Sequence, residues 1–102
     1  MILHRRIHRF KKDGVEEGVR LAQQLNAISA TQLGRRGTVY IPAMLGSALS
    51  RQHVVVDTIH ESLATMEQHF QKFLQLDEVR PLLSEWNDVE EESWAENYRI
   101  LE

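Results

Sequence analysis

Cysteine is absent from this chain of 102 residues, and its absence excludes disulfides, thiol nucleophiles and thiolate metal sites. Two prolines and five glycines are too few for a collagen-like or low-complexity chain. The longest apolar runs span only a few residues, far short of the roughly 20 that cross a bilayer. The N-terminus also lacks the apolar segment of a signal peptide. We therefore expect a cytoplasmic protein that does not associate with membranes.

The remaining composition is typical of one globular domain, which we predict to cover residues 1–102. Hydrophobic residues make up 42% of the chain and charged residues 26%, which excludes broad disorder. The formal net charge of −3 argues against general nucleic-acid binding, because such binding needs a basic surface.

The alternation of apolar and polar residues predicts four strands. They are expected at residues 1–11, 37–45, 53–59 and 93–101. An acidic connection over residues 87–92 is expected to precede the last of them.

Apolar residues three and four apart predict the helices between these strands. The first helix follows Asp13, which forms a capping-box pattern with Glu16, and it ends near Gly34. The second helix begins at residues 61–62, and a short further helix begins at Asp77.

The resulting order, β-α-β-β-α-β, predicts the ferredoxin-like α+β fold with a four-stranded antiparallel sheet. The strand order in that fold is 4-1-3-2, so the second strand lies at an edge, where the missing N–H of Pro42 is tolerated. Residues 1–12 contain five Lys or Arg and no acidic residue, whereas the last strand follows a run of glutamates. Opposite charges favour the pairing of these two strands.

The two main helices cover only one face of such a sheet, which leaves the other face for water or for a partner. We assign Leu3 and Ile7 to the helix-covered face. The even-numbered side chains of the first strand are assigned to the open face: His4, Arg6, His8 and Phe10. This mixed polar and aromatic face suits a subunit interface, and we expect a sheet-to-sheet homodimer that encloses a cavity.

Two segments resemble the dimeric α+β barrel proteins. The segment Ile-Leu-His-Arg-Arg-Ile-His-Arg-Phe-Lys at residues 2–11, followed by Gly14, resembles their opening strand and glycine turn. The segment Val-Val-Val-Asp-Thr-Ile-His-Glu-Ser-Leu at residues 54–63 resembles the valine-rich strand and helix start of the NIPSNAP-like and antibiotic-biosynthesis-monooxygenase-like branches. The resemblance implies a dimeric α+β barrel across most of the chain.

The resemblance also implies a protein that binds a small aromatic or apolar molecule in the barrel. An alternative is a cofactor-independent monooxygenase or isomerase, in which His4 or His8 takes a proton from a phenol or enol and Arg6 stabilises the developing negative charge. The aromatic rings expected to line the ligand pocket belong to Tyr40, Trp94 and Tyr98. A third alternative is a dimer that has only a structural or regulatory role.

Metal and cofactor chemistry have less support in the spacing of the residues. His4 and His8 are about 13 Å apart along a strand, and no HxH or HExxH pattern occurs. Some dimeric α+β barrels hold haem through a histidine, but those domains are usually larger. The pair Arg35-Arg36 lies between two glycines and could contact phosphate, although no glycine-rich loop of the Walker or dinucleotide type is present. We therefore expect no metal and no cofactor.

Overall fold

A computed structural model describes residues 1–43 and 52–101. Within these ranges, three helices pack against a four-stranded sheet. The strands are β1 (Ile2–Phe10), β2 (Thr38–Tyr40), β3 (His53–His60) and β4 (Glu90–Arg99). The helices are α1 (Val15–Leu33), α2 (Leu63–Gln75) and α3 (Val79–Val89). None of these helices combines the length and the apolar character that crossing a membrane requires.

The strands lie in the order β2-β3-β1-β4, and each neighbouring pair is antiparallel. This arrangement confirms the ferredoxin-like α+β prediction and the edge position of the second strand. Strand β2 is much shorter than the prediction over residues 37–45, because the ladder extends only over Thr38–Tyr40. Residues 44–45 of that prediction lie outside the described residues.

Charge complementarity between the first and last strands is also confirmed. Arg5 lies opposite Glu96 in the β1–β4 ladder, and Arg9 lies opposite Glu92. The Arg9 Nη2 atom is 2.9 Å from Glu92 Oε2, so the cross-strand pair is a direct ion pair. Such pairs help to specify the register because a one-residue slip would move the charges to opposite faces.

Helix α1 begins differently from the prediction and ends as predicted. Gly14 is the N-cap, and no side chain caps the helix. The prediction of a capping box formed by Asp13 and Glu16 is therefore wrong. A Cβ atom at Gly14 would lie 3.1 Å from the Cβ of Val89, which shows how closely this turn packs on the end of α3. Gly34 ends α1 with a φ of 69°, a left-handed conformation that glycine adopts without strain.

The hydrophobic core lies between the sheet and the helices, with Phe10 at its centre. Phe10 is completely buried, and the centroid of its ring is 5.0 Å from that of Trp86. The expectation that Phe10 lies on the open face is therefore wrong. Its core partners include Leu21, Val54 and Val79, which are also fully buried.

Helix α3 runs directly into strand β4. The acidic connection predicted over residues 87–92 is wrong, because α3 continues to Val89 and β4 starts at Glu90. The β1–β4 register shifts between Arg9 and Phe10, and this irregularity brings Glu90 opposite Phe10. The glutamates of this segment are thus held in a strand next to β1.

Candidate functional site

The histidines of β1 lie beneath the helices. The His4 ring is 5.0 Å from the Phe70 ring of α2, and the His8 ring is 4.5 Å from the Trp86 ring of α3. Arg6 lies between them on the same face of the strand and is exposed. The expectation that these three polar residues point away from the helices is therefore wrong.

Leu3 and Ile7 accordingly occupy the face without helices, where Ile7 pairs with Trp94 of β4. Their assignment to the helix-covered face is wrong because β1 carries apolar residues on both faces. Alternation separates the two faces but does not identify which one the helices cover. The choice depends on Phe10, whose ring fits directly against Gly18 of α1, where a Cβ atom would be only 2.6 Å away.

His8 and Glu90 form a buried pair at the end of the helix-covered face. The His8 Nδ1 atom is 2.6 Å from Glu90 Oε1, and the two side chains are only 10% and 17% exposed. The rings of His8 and Trp86 meet edge to face at 83°. A histidine held by a carboxylate can accept and return a proton, and the same contact ties β1 to the start of β4.

A second group of histidines lies further along the same face. His4, His60 and His69 are 5%, 0% and 9% exposed, and the His60 and His69 ring centroids are 5.5 Å apart. His4 Nδ1 is 2.6 Å from Asn97 Oδ1. Among the described residues, His4 Nε2 and His60 Nδ1 are buried without a hydrogen-bond partner. This cluster was not predicted from the sequence, although His60 follows Val54 and Val56 at the spacing of one strand face.

Burial disfavours the charged form of two of these imidazoles. Desolvation, assisted by the positive charge of Arg35 and by His69, lowers the pKa of His60 from 6.5 to about 4. Desolvation also lowers the pKa of His69, with smaller contributions from Arg35 and Lys72. Across the described ranges, no group of three or more His, Cys, Asp or Glu side chains is placed to hold a metal ion.

The opposite face of the sheet contains a concavity of about 510 Å³. Tyr40 and Trp94 form aromatic walls and are 45% and 39% exposed. Ile7 and Val55 provide an apolar surface between them. The ring of His53 meets Trp94 edge to face, with their centroids 5.5 Å apart. Arg5 and Glu96 add charged side chains to the lining. A hollow of this size, with aromatic walls and a few polar groups, is suited to a small organic molecule.

A bidentate ion pair lies at the base of this face. Arg5 donates from Nε to Asp57 Oδ1 and from Nη2 to Asp57 Oδ2, both at 2.9 Å. Asp57 is 7% exposed, and its hydrogen bond and negative charge raise the pKa of Arg5. This pair was not predicted from the sequence. The available signal is Asp57 itself, a carboxylate that directly follows three valines in a strand.

The structure brings together only part of the predicted site. Tyr40 and Trp94 line the same concavity, and Tyr98 lies on the same face but outside it, with its hydroxyl donating to Glu96. The three β1 residues considered for catalysis lie on the other side of the sheet. Within one chain, therefore, the predicted aromatic rings cannot sandwich a substrate against the predicted proton acceptor His8 or its neighbours.

Neither a protein-family model nor a curated relative matches this sequence. Solved structures, in contrast, match over nearly the whole chain. A NIPSNAP family protein from Agrobacterium tumefaciens superposes with a TM-score of 0.80 at 19% identity and covers 96% of this chain and 90% of its own. An uncharacterized NIPSNAP domain protein from Burkholderia xenovorans gives a TM-score of 0.79 at 11% identity, with 99% and 95% covered.

Monooxygenase-like proteins share the same architecture. A putative antibiotic biosynthesis monooxygenase from Nitrosomonas europaea superposes with a TM-score of 0.72 at 15% identity, and each chain is covered completely. At such identities the similarity concerns the fold. The chain therefore has the ferredoxin-like α+β fold that NIPSNAP proteins and antibiotic-biosynthesis-monooxygenase-like proteins share, as the two resembling segments predict.

Proposed function

We propose that the protein is a homodimeric α+β barrel that binds a small aromatic or apolar molecule between two open sheet faces. The observation that carries this proposal is the concavity of about 510 Å³ on the open face, with Tyr40 and Trp94 as its walls. A second sheet placed over this face would convert the open concavity into an enclosed site. Enclosure would bury most of the surface of a small ligand, as small-molecule sites generally do.

The polar groups of this face would orient the ligand. Arg5 is held by Asp57 through two hydrogen bonds, so its guanidinium is fixed rather than mobile. His53 lies beside Trp94 and can offer a hydrogen bond to a phenol or ketone in the concavity. A few fixed polar groups among apolar walls give orientation, whereas the aromatic walls supply most of the binding energy.

The two tryptophans allow a direct test of this proposal. Trp86 is 6% exposed in the core and Trp94 is 39% exposed at the concavity, so their indole N–H signals in NMR spectra report on different faces. In a screen of small aromatic fragments, we expect binders to shift the Trp94 signal and to leave the Trp86 signal in place. Fragments that shift only Trp86, or a library without any binder, would contradict the proposal.

A matched pair of variants locates the binding site. Trp94→Ala removes one aromatic wall and is expected to weaken fragment binding at least tenfold, as the loss of about 1.5 kcal/mol of aromatic contact implies. Leu74→Ala removes a 54% exposed apolar side chain from α2, on the other side of the sheet, and should leave binding unchanged. Equal losses in the two variants would indicate binding elsewhere.

A second candidate function is proton transfer by His8, in a cofactor-independent monooxygenase or an isomerase. The contact of 2.6 Å between His8 Nδ1 and Glu90 Oε1 favours it, because a carboxylate hydrogen-bonded to the imidazole fixes the orientation of the ring for proton transfer. If the protein consumes oxygen or exchanges a substrate proton with a phenol or enol, His8→Asn is expected to lower the rate at least 10²-fold. Equal rates in wild type and His8→Asn would exclude this mechanism.

A further inference from the structure

A second cavity lies on the helix side of the sheet, between the C-terminal end of α1 and helix α2. Its volume is about 320 Å³. Two cations and a histidine contribute to its lining and no carboxylate does, in a chain whose net charge is −3. We call this cavity the basic groove, and the polar residues that define it are Gln32, Arg35, Thr65, Gln68, His69 and Lys72.

Arg35 is fixed at one side of the basic groove. Its Nη1 donates to the carbonyl oxygen of Ile59, and its own carbonyl oxygen accepts a hydrogen bond of 2.6 Å from Ser29 Oγ. Its Nη2 is 3.3 Å from Glu61 Oε2, and the Glu61 side chain is 66% exposed. The Arg35 guanidinium thus already contacts a carboxylate, that of Glu61. This carboxylate is exposed enough for a ligand anion to displace it. A guanidinium held in place loses little conformational entropy when it binds a ligand.

Lys72 and His69 lie three residues apart on α2 and therefore on the same side of that helix. His69 is 9% exposed, and its Nε2 is 3.4 Å from Ser29 Oγ. The positive charges of Arg35 and Lys72 both oppose protonation of His69 and lower its pKa. The positive charges of Arg35 and Lys72 therefore act on the same part of the groove. An anion bound between them would reduce the repulsion between these two charges.

We propose that the basic groove binds the phosphate group of a small phosphate monoester. A phosphate has several acceptor oxygens, which match a planar guanidinium, an ammonium group and the neutral donors of Thr65 and Gln68. The volume lies at the lower end of the range for small-molecule sites, which fits a phosphate with a small organic substituent. The groove and the open-face concavity are on opposite sides of the sheet, so this proposal does not depend on the barrel ligand.

NMR titrations with phenyl phosphate at about 0.1 M ionic strength, where the Debye length is about 10 Å, test the proposal on the full chain. We expect saturable shifts at Thr65, Gln68 and His69. Lys72→Gln should weaken binding roughly tenfold, the loss expected for one charge-assisted hydrogen bond. Lys12→Gln removes the same charge at a position just before the N-terminal end of α1. The 19 residues of this helix span about 28 Å, and the groove lies at its other end. This separation exceeds the Debye length at moderate salt, so the control should change affinity less than about twofold.

Binding should also raise the pKa of His69, because the phosphate offsets the charges of Arg35 and Lys72 that face it. His60, whose ring centroid is 5.5 Å away, and the Ser29 hydroxyl also face that imidazole. Inorganic phosphate serves as the comparison ligand. Tighter binding of phenyl phosphate supports the monoester assignment, and equal affinities overturn it. No saturable shifts, or equal losses in Lys72→Gln and Lys12→Gln, would overturn the groove itself.

Discussion

At the scale of single residues, the least expected feature is the number of histidines in the interior. His60 has no exposed surface, and one of its ring nitrogens lacks a hydrogen-bond partner among the described residues. Its other ring nitrogen, Nε2, is 2.8 Å from Thr58 Oγ1. A neutral imidazole tolerates this setting, whereas an imidazolium would lose its hydration there. His60 therefore acts as a core residue only while it remains uncharged.

This property predicts a loss of stability in acid. The pKa of His60 is lowered to about 4 from an ordinary value of 6.5, so between these values the unfolded chain binds a proton that the folded chain does not. The free energy of unfolding should thus be highest above pH 6.5 and fall as the pH decreases towards 4, by at most about 3 kcal/mol from this residue. His69, Arg35 and His4 face His60 and act in the same direction, whereas Glu61 opposes them weakly.

Urea unfolding at several pH values between 7.5 and 4.5 measures this effect. In His60→Gln, which has no group that titrates in this range, the slope of stability against pH should be smaller than in wild type. Identical slopes in the two proteins would show that His60 is protonated as readily in the folded chain as in the unfolded one.

The structure also changes what is expected of His8. A histidine that lines a water-filled cavity would contribute little to stability, because it packs against few neighbours. His8 is instead 8% exposed and contacts both Glu90 and Trp86. His8→Ala would leave the Glu90 carboxylate unpaired and create space beside Trp86, so we expect a loss of about 1–3 kcal/mol in the free energy of unfolding. Chemical denaturation measures it, and Arg6→Ala, an exposed position of the same strand, should be nearly neutral.

At the scale of elements, the sequence predicts the individual strands and helices better than it predicts the contacts between them. Periodicity identifies the strands and helices, Gly34 marks the end of α1, and the charges of Arg5 and Arg9 predict the β1–β4 pairing. The orientation of β1 depends instead on where one ring fits in three dimensions. The junction of α3 and β4 likewise depends on Glu90 reaching His8, a contact between residues that are 82 positions apart.

The packing of α1 on β1 predicts a strong effect at Gly18. A Cβ atom there would lie 2.6–2.7 Å from three ring atoms of Phe10, whose ring is enclosed on all sides in the core. Gly18→Ala should therefore cost about 1–3 kcal/mol, despite the higher helix propensity of alanine. Combining it with Phe10→Leu should make the two losses less than additive, because the smaller side chain leaves room for the methyl group. Additive losses in denaturation experiments would contradict the contact.

At the scale of the whole molecule, the two faces of the sheet differ in how their apolar side chains are covered. The helices cover Phe10 and its neighbours, whereas no element of the described chain covers the other face. Large hydrophobic side chains on or beside that face are 39–61% exposed, and they are Tyr40, Ile41, Ile59, Trp94 and Tyr98. A mixed face could be predicted from the sequence. Its composition could not, because the faces of β1 are the reverse of those assigned from alternation.

The exposed sheet face predicts a dimer, and Trp94 is the residue on which to test it. We expect sedimentation equilibrium at micromolar concentration to give twice the chain mass of 11.9 kDa. Trp94→Glu would place a carboxylate beside Glu96 and oblige the interface to bury an unpaired charge, so it should shift the protein to the monomer. Leu74→Glu introduces the same charge at a 54% exposed position on α2 and should leave the dimer intact. A wild-type mass near 11.9 kDa would contradict the dimer, and a dimeric Trp94→Glu would mean that the chains associate through a different surface.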